Sequence, residues 1–199
     1  MAVIEYFYAG YSAFAYIGHA ELLRIAKAAG REITHRPFDL RKLVLTTGAQ
    51  PIASRTQAHK DYFFGREIER WAEYRNIPVM KGTPTHHAHD ITLSNCLLTA
   101  GLVQGLNIDT LSLEMLHAHW VDDFDLDNQE DLKEICARAG IDPAPLLSAA
   151  LSDEVRALYD ANTEEAIRRS AFGSPTYFID GDMFYGQDHL ELIAHTLKI

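Results

Sequence analysis

The sequence predicts an α/β protein whose sheet-forming ends are separated by a long helical block. Three observations lead there. Residues 3–8 form an apolar, aromatic run of strand character; Phe14, Ile17, Leu22, Ile25 and Ala26 then follow at helical spacing, before a second strand candidate at 32–38. From residue 59 to about 163 the periodic stretches are helical, with no strand of any length. The chain closes on a strand, a turn pair, a second strand and one more helix. That order describes an α/β core interrupted by an insertion: a first half at 1–58, a helical insertion at 59–163 and a second half at 164–199.

Taken in order, Ala9-Gly10-Tyr11-Ser12 is the loop between the first strand and the first helix, and Ser12 sits at or near the N-cap. A cap there contributes about 1 kcal/mol. The same hydroxyl, beside unpaired first-turn N–H groups, can also stabilise a thiolate or another anion. Gly30 closes the helix. The β-α-β order makes the two strands parallel neighbours joined by a right-handed crossover. Asp39 and Leu40 open a short helix through Leu43, Val44 and Leu45, and Gly48-Ala49-Gln50-Pro51 reads as a loop.

Within the helical block, Tyr62, Glu67, Arg70, Trp71 and Tyr74 fall on one long helix that ends before Pro78. Further helices are expected at about 91–101, 111–121, 131–139, 145–151 and 154–170. Residues 176–179 are β-branched and aromatic, Asp180-Gly181 is a hairpin turn, and 183–185 is the partner strand. Pro175 has no N–H, so it belongs at a sheet edge or a cis turn. A cis Ser174–Pro175 bond leaves the backbone groups of Ser174 facing outward, open to an extended peptide-like ligand. Asp188 is placed to cap the last helix, whose Leu190, Ile193, Ala194 and Leu197 share a face.

A net charge of −10 without a basic stripe argues against a nucleic-acid partner. No apolar run approaches the roughly 20 residues that span a bilayer, and the first residues lack a signal peptide's basic region. A cytoplasmic protein without membrane contact is expected. Cys96 and Cys136 form no C-x-x-C pair, so thiol–disulfide exchange is not expected, and both read as small buried hydrophobes. The run His86-His87-Ala88-His89-Asp90 invites a metal, but neighbours in a run rarely face one another. No metal is expected; a polar pocket rim or solvated loop is, with one histidine able to act as acid or base. Asp123, Asp125 and Asp127, with Asp131 and Glu134, echo a calcium loop, yet Asn128 stands where glycine is wanted. An acidic helix start accounts for them. Tyr11, Phe14, Trp71 and Trp120 are an aromatic wall or ordinary core.

Several motifs then act together: Ser12 after the first strand, Arg36-Pro37-Phe38-Asp39-Leu40, Gly48-Ala49-Gln50-Pro51, Lys60-Asp61-Tyr62 and Arg70-Trp71-Ala72. Gly173-Ser174-Pro175 and Phe184-Tyr185-Gly186-Gln187-Asp188 complete the set. Over nearly its whole length the chain resembles the 2-hydroxychromene-2-carboxylate isomerases and their relatives, the kappa-class glutathione transferases. The resemblance implies a thioredoxin-like core (β-α-β … β-β-α) interrupted by a DsbA-type all-helical insertion. It also implies a homodimeric, glutathione-dependent isomerase of aromatic degradation, acting on a 2-hydroxychromene-2-carboxylate-like aromatic carboxylic acid. Ser12 would replace a redox cysteine and bond the glutathione sulfur. Ser174, ahead of cis Pro175, would pair with the cysteinyl backbone, Gln187 and Asp188 would receive the γ-glutamyl end, and Gln50 would stand in for a missing asparagine. Tyr11, Lys60, Tyr62 and His86 would surround the substrate. The chain departs from the family at Ala13 (proline expected), Ala49 (asparagine), Glu67 (aspartate) and the histidine run (an aromatic or apolar wall). A kappa-type conjugating transferase and a non-catalytic thioredoxin-like binding module are the alternatives.

Overall fold

The computed structural model describes residues 2–48 and 54–199. Strands β1 (Val3–Tyr8) and β2 (Glu32–Pro37) flank helix α1 (Ala13–Ala29), and α2 (Leu40–Thr46) follows. The helical block contains α3 (Gln57–Lys60), α4 (Glu67–Arg75), α5 (Thr92–Val103), α6 (Asp109–Trp120), α7 (Gln129–Arg138), α8 (Pro143–Ala150) and α9 (Asp153–Arg168). The hairpin β3 (Thr176–Ile179) and β4 (Asp182–Tyr185) then leads to α10 (Leu190–Leu197). The four strands lie in the order β2-β1-β3-β4, with β2 parallel to β1 and the hairpin antiparallel to it. The expected α/β architecture is present.

β1 is central because its side chains alternate between two apolar environments. Ile4, Tyr6 and Tyr8, with Tyr177 and Ile179 of β3, pack on Ile17 and Ile25 of α1, Met115 of α6 and Ile193 of α10. Phe7 and Phe178 face the other way, onto Phe38, Leu43 of α2 and Ala166 of α9. The hairpin turns on Asp180 (φ 52°) and Gly181 (φ 91°), two left-handed positions in succession, as the Asp-Gly pair leads one to expect. Gly18 lets α1 approach the chain end closely, since a Cβ there would stand 2.8 Å from Cβ of Gln187.

Two local expectations need correction. The helix carrying Tyr62 to Tyr74 is not uniform: Asp61–Arg66 forms a π-helical turn between α3 and α4. Its neighbours Phe63 and Phe64, with ring centres 5.0 Å apart, line one cleft. Asp188 does not cap α10: Gly186 (φ 95°) starts a 3₁₀ turn over Gln187–His189, and α10 begins beyond it without a side-chain cap. Among the described residues, no helix is long and apolar enough to cross a membrane.

Beneath α1 a polar group is buried in the main core. His19 Nε2 donates to the Asp109 carbonyl (3.0 Å), and His35 bonds both the Asp109 carboxylate (2.8 Å) and the Tyr8 hydroxyl (3.1 Å). Burial pushes the His19 pKa down to about 4. An unfolded chain protonates that histidine near pH 6.5. Between the two values the unfolded chain binds a proton that the fold refuses, so stability falls as pH drops through the window, by roughly 3 kcal/mol in all. Urea midpoints measured from pH 7 to pH 4 should therefore decline, and His19→Gln should flatten the decline. An identical slope in the variant contradicts the assignment.

Candidate active site

The site grows from the junction of β1 and α1. Ser12 is the N-cap of α1 (φ −75°, ψ 120°): its Oγ accepts from Ala15 N (3.3 Å) and its carbonyl accepts from Tyr16 N (2.9 Å). The N–H groups of Ala13 and Phe14, the first two of the helix, meet no acceptor among the described residues. The Ser12 hydroxyl donates to the carbonyl of Ser174 at 3.2 Å, long for an O–H···O bond and so cheaply exchanged for a better acceptor. Three contacts from distant elements fix the loop ahead of Ser12. Ala9 N donates to Ser174 Oγ (3.0 Å), Gly10 N to Asn95 Oδ1 of α5 (2.9 Å), and Trp120 Nε1 of α6 to the Tyr11 carbonyl (2.8 Å).

The Ser174–Pro175 bond is cis. The backbone of Ser174 is only half open, however, which corrects the expectation: its carbonyl is occupied by Ser12, while its N–H has no acceptor among the described residues. Ser12, Ser174 and the α1 N-terminus border a cleft of about 110 Å³ whose walls include Phe14, Phe63, Phe64, Trp120 and Tyr185. A second cleft of about 280 Å³ shares Phe64, His87 and Trp120 and adds Gln57, Lys60 and Asp61. Arg55 lines the first, its guanidinium 5.4 Å from the Phe63 ring centre and 5.7 Å from that of Phe64. The combination is an apolar slot with one hydroxyl, unpaired N–H donors and cations at the rim. It suits a flat anionic ligand.

Tyr11 and Lys60 line this double cleft. Tyr62 does not: it is exposed on the outer face, its hydroxyl beside Arg70 (3.5 Å). His86 also lies elsewhere, 3.7 Å from Asp125, which His89 bonds at 2.9 Å; ligand atoms of these three fall within 4.8 Å of one another. The histidine that enters the cleft is His87. Gln187 is 1% exposed, with its side-chain oxygen and its carbonyl both accepting from Arg75 (2.9 and 3.0 Å). It therefore braces the chain end rather than reaching outward. Asp188 is half exposed and close enough to Tyr185 to raise that phenol's pKa, after burial as the main cause. Gln50 falls outside the described residues. Of the aromatic candidates, Tyr11, Phe14 and Trp120 form wall, while Trp71 bonds Glu67 (3.1 Å) on α4. Asn128 caps α7, whose first turn carries Glu130 and Asp131, but Asp123 accepts from Thr85 and Asp125 lies beside His89, so an acidic helix start accounts for only part of that run. Sequence reasoning missed Arg55, Phe63, Phe64 and Asn95; only Asn95, a lone amide on an apolar helix, left a trace.

The protein offers no thiolate of its own. Its two cysteines, Cys96 and Cys136, are buried and free, and burial pushes both thiols up to about 11.

The DSBA-like thioredoxin domain matches residues 3–198. The chain belongs to this family. Within it, the chain is 24% identical over 194 residues to the 2-hydroxychromene-2-carboxylate isomerase of Sphingobium xenophagum, covering 98% of this chain and 97% of that one. It is 26% identical to glutathione S-transferase kappa 1 of Rattus norvegicus over 206 residues, covering 98% and 90%. A solved 2-hydroxychromene-2-carboxylate isomerase superposes with a TM-score of 0.82 at 20% identity, covering 98% of this chain and 94% of that one. The DSBA-like fold is thus shown, and the named relatives are an isomerase and a transferase.

Proposed function

We propose that this DSBA-like chain is a glutathione-dependent cis–trans isomerase of 2-hydroxychromene-2-carboxylate-like aromatic acids. The observation that carries the reading is Ser12: a hydroxyl at the start of α1, beside a cis proline, where a redox protein of this fold would need a thiol. The residues present fit the tripeptide. The unpaired Ser174 N–H and the open first turn of α1 offer donors to a backbone carbonyl and a thiolate, and Asp188, near the cleft-wall residue Tyr185, offers a carboxylate to an ammonium. Bound glutathione would supply the nucleophilic sulfur, whose reversible addition to a conjugated double bond permits rotation about it.

The protein's part is electrostatic. Ser12 would turn its O–H from the Ser174 carbonyl to the bound thiol, and the Ala13 and Phe14 N–H groups with the α1 dipole would lower the cost of a negative charge there. Phe14, Phe63, Phe64 and Trp120 exclude water and hold an aromatic ring flat. Arg55 and Lys60 lie where a substrate carboxylate can meet a cation. In the relatives' terms, a transferase would use the same Ser12, so turnover of the chromene acid against conjugation of an aryl halide separates the two activities.

Asp188→Asn tests the other end of the tripeptide. Calorimetry should show glutathione affinity falling about tenfold, the loss of one charge-assisted contact, with kcat at saturating glutathione little changed. Equal affinity in the variant removes Asp188 from the site.

A further inference from the structure

His87 meets the cleft through a hydrogen-bond chain whose direction can be read from its far end. His119 Nδ1 lies 3.1 Å from the carbonyl of Phe124. A carbonyl only accepts, so His119 carries its proton on Nδ1. In the neutral ring Nε2 is then a lone pair, and it lies 2.9 Å from Nδ1 of His87. The two ring planes are 21° apart with centres at 5.2 Å, an edge-to-edge approach that lets N–H and lone pair align. His87 Nδ1 must therefore be the donor. The remaining nitrogen, His87 Nε2, is left without a proton, and no hydrogen bond among the described residues engages it. The ring stands 4.9 Å from Tyr11 and 5.3 Å from Trp120, both walls of the cleft.

We propose that His87, oriented by His119, is the acid–base residue of this site, its unprotonated Nε2 taking the proton of the substrate hydroxyl and later returning it. The inference rests on the isomerase reading and names the residue that moves the substrate's proton, which that reading leaves unassigned. The proton balance closes within the pair. The substrate O–H gives its proton to His87 Nε2; the Nδ1 proton passes to His119 Nε2; and the His119 imidazolium is held by the Phe124 carbonyl. The reverse transfer returns one proton to an oxygen of the product. No other co-reactant is needed.

The charges around the pair favour this division of labour. Arg41, bonded to the His87 carbonyl at 3.2 Å, discourages a lasting charge on His87, whose pKa is pushed down to about 3 by burial, then by His119 and Arg41. Burial lowers the His119 pKa too, but there the Phe124 carbonyl, Asp123 and Asp125 oppose it, with His86 a smaller influence against charge. A proton relayed to the inner histidine leaves the outer one in its accepting form.

Long-range nitrogen–proton correlation spectra of the intact chain at neutral pH test this. His87 should show Nδ1 protonated and Nε2 bare, and the Nε2 resonance should shift when salicylate, a hydroxyaryl carboxylate probe, is added. A proton on Nε2 overturns the proposal. His119→Phe removes the acceptor and should let the His87 proton redistribute to Nε2, whereas His119→Gln, with an accepting oxygen, should keep the wild-type tautomer; a merely structural His119 would leave the tautomer unmoved in both. In turnover, His87→Phe should lower kcat on the chromene acid about 100-fold, while the ultraviolet signal of the bound glutathione thiolate persists. A kcat within about threefold of wild type contradicts the proposal. Loss of the thiolate signal in the wild-type protein instead counts against the glutathione reading, and the tautomer spectra still decide the role of His87.

Discussion

Ser12→Ala is expected to lower turnover about a hundredfold, the range seen when one preorganised donor to a developing anion is lost, while leaving the fold intact. The structural cost is that of a helix cap, about 1 kcal/mol, because the hydroxyl's two bonds are modest: 3.3 Å from Ala15 N and 3.2 Å to the Ser174 carbonyl. Little else depends on it, since the Ser12 backbone keeps its own bonds to Ala9 and Tyr16. Far-ultraviolet circular dichroism and the melting temperature should scarcely move, while kcat falls and the bound thiol loses its acidity. Full activity in the variant would refute the role assigned to the hydroxyl, and collapse of the fold would mean that Ser12 is a cap before it is anything else.

Asn95→Ala should have the largest effect on stability among single changes near the site. Asn95 is fully buried on α5, its oxygen accepting from Gly10 N at 2.9 Å and its amide nitrogen near the Phe38 carbonyl (3.5 Å) and the Tyr159 hydroxyl (3.4 Å). Truncation strands the Gly10 N–H away from water and opens a void, together about 3 kcal/mol. For a chain of this size that corresponds to a melting temperature lower by about 9 °C. Activity should fall with it, roughly tenfold, because the loop ending in Ser12 loses one of its three anchors and small misplacements are costly. Thermal melts and kinetics on the same sample read both effects. A melting temperature within roughly 2 °C of wild type would show that the loop is held by Ser174 and Trp120 without help.

The two predictions also show which parts of the site could be read from the chain alone. Ser12 was visible because a cap is a local signal: a strand, a short loop, a hydroxyl, then helical spacing. The Asp180-Gly181 hairpin was visible for the same reason, since two left-handed residues in succession demand such a pair. Asn95 and Trp120 act on the loop through contacts that bridge 85 and 109 positions, and no periodicity encodes those. The π-helical turn was hidden because its single extra residue per turn leaves the apolar pattern on either side almost unchanged. The choice between His86 and His87 depended on which ring a short irregular loop turns inward, a matter settled by His119 and Asp125 from elsewhere in the chain. Gln187 belongs to a motif suggestive of a ligand contact, yet Arg75 on α4 already occupies it. Local rules placed the elements; the partners that aim each side chain came from tertiary packing.

The central claim, that this protein ionises a borrowed thiol at Ser12, is tested most directly by titrating the ultraviolet absorbance of glutathione bound to the wild-type chain and to Ser12→Ala. The account predicts a bound thiol already ionised at neutral pH in the wild type, returning in the variant toward the free-thiol range near about 8.5. A wild-type complex whose thiol ionises no more readily than free glutathione would contradict it.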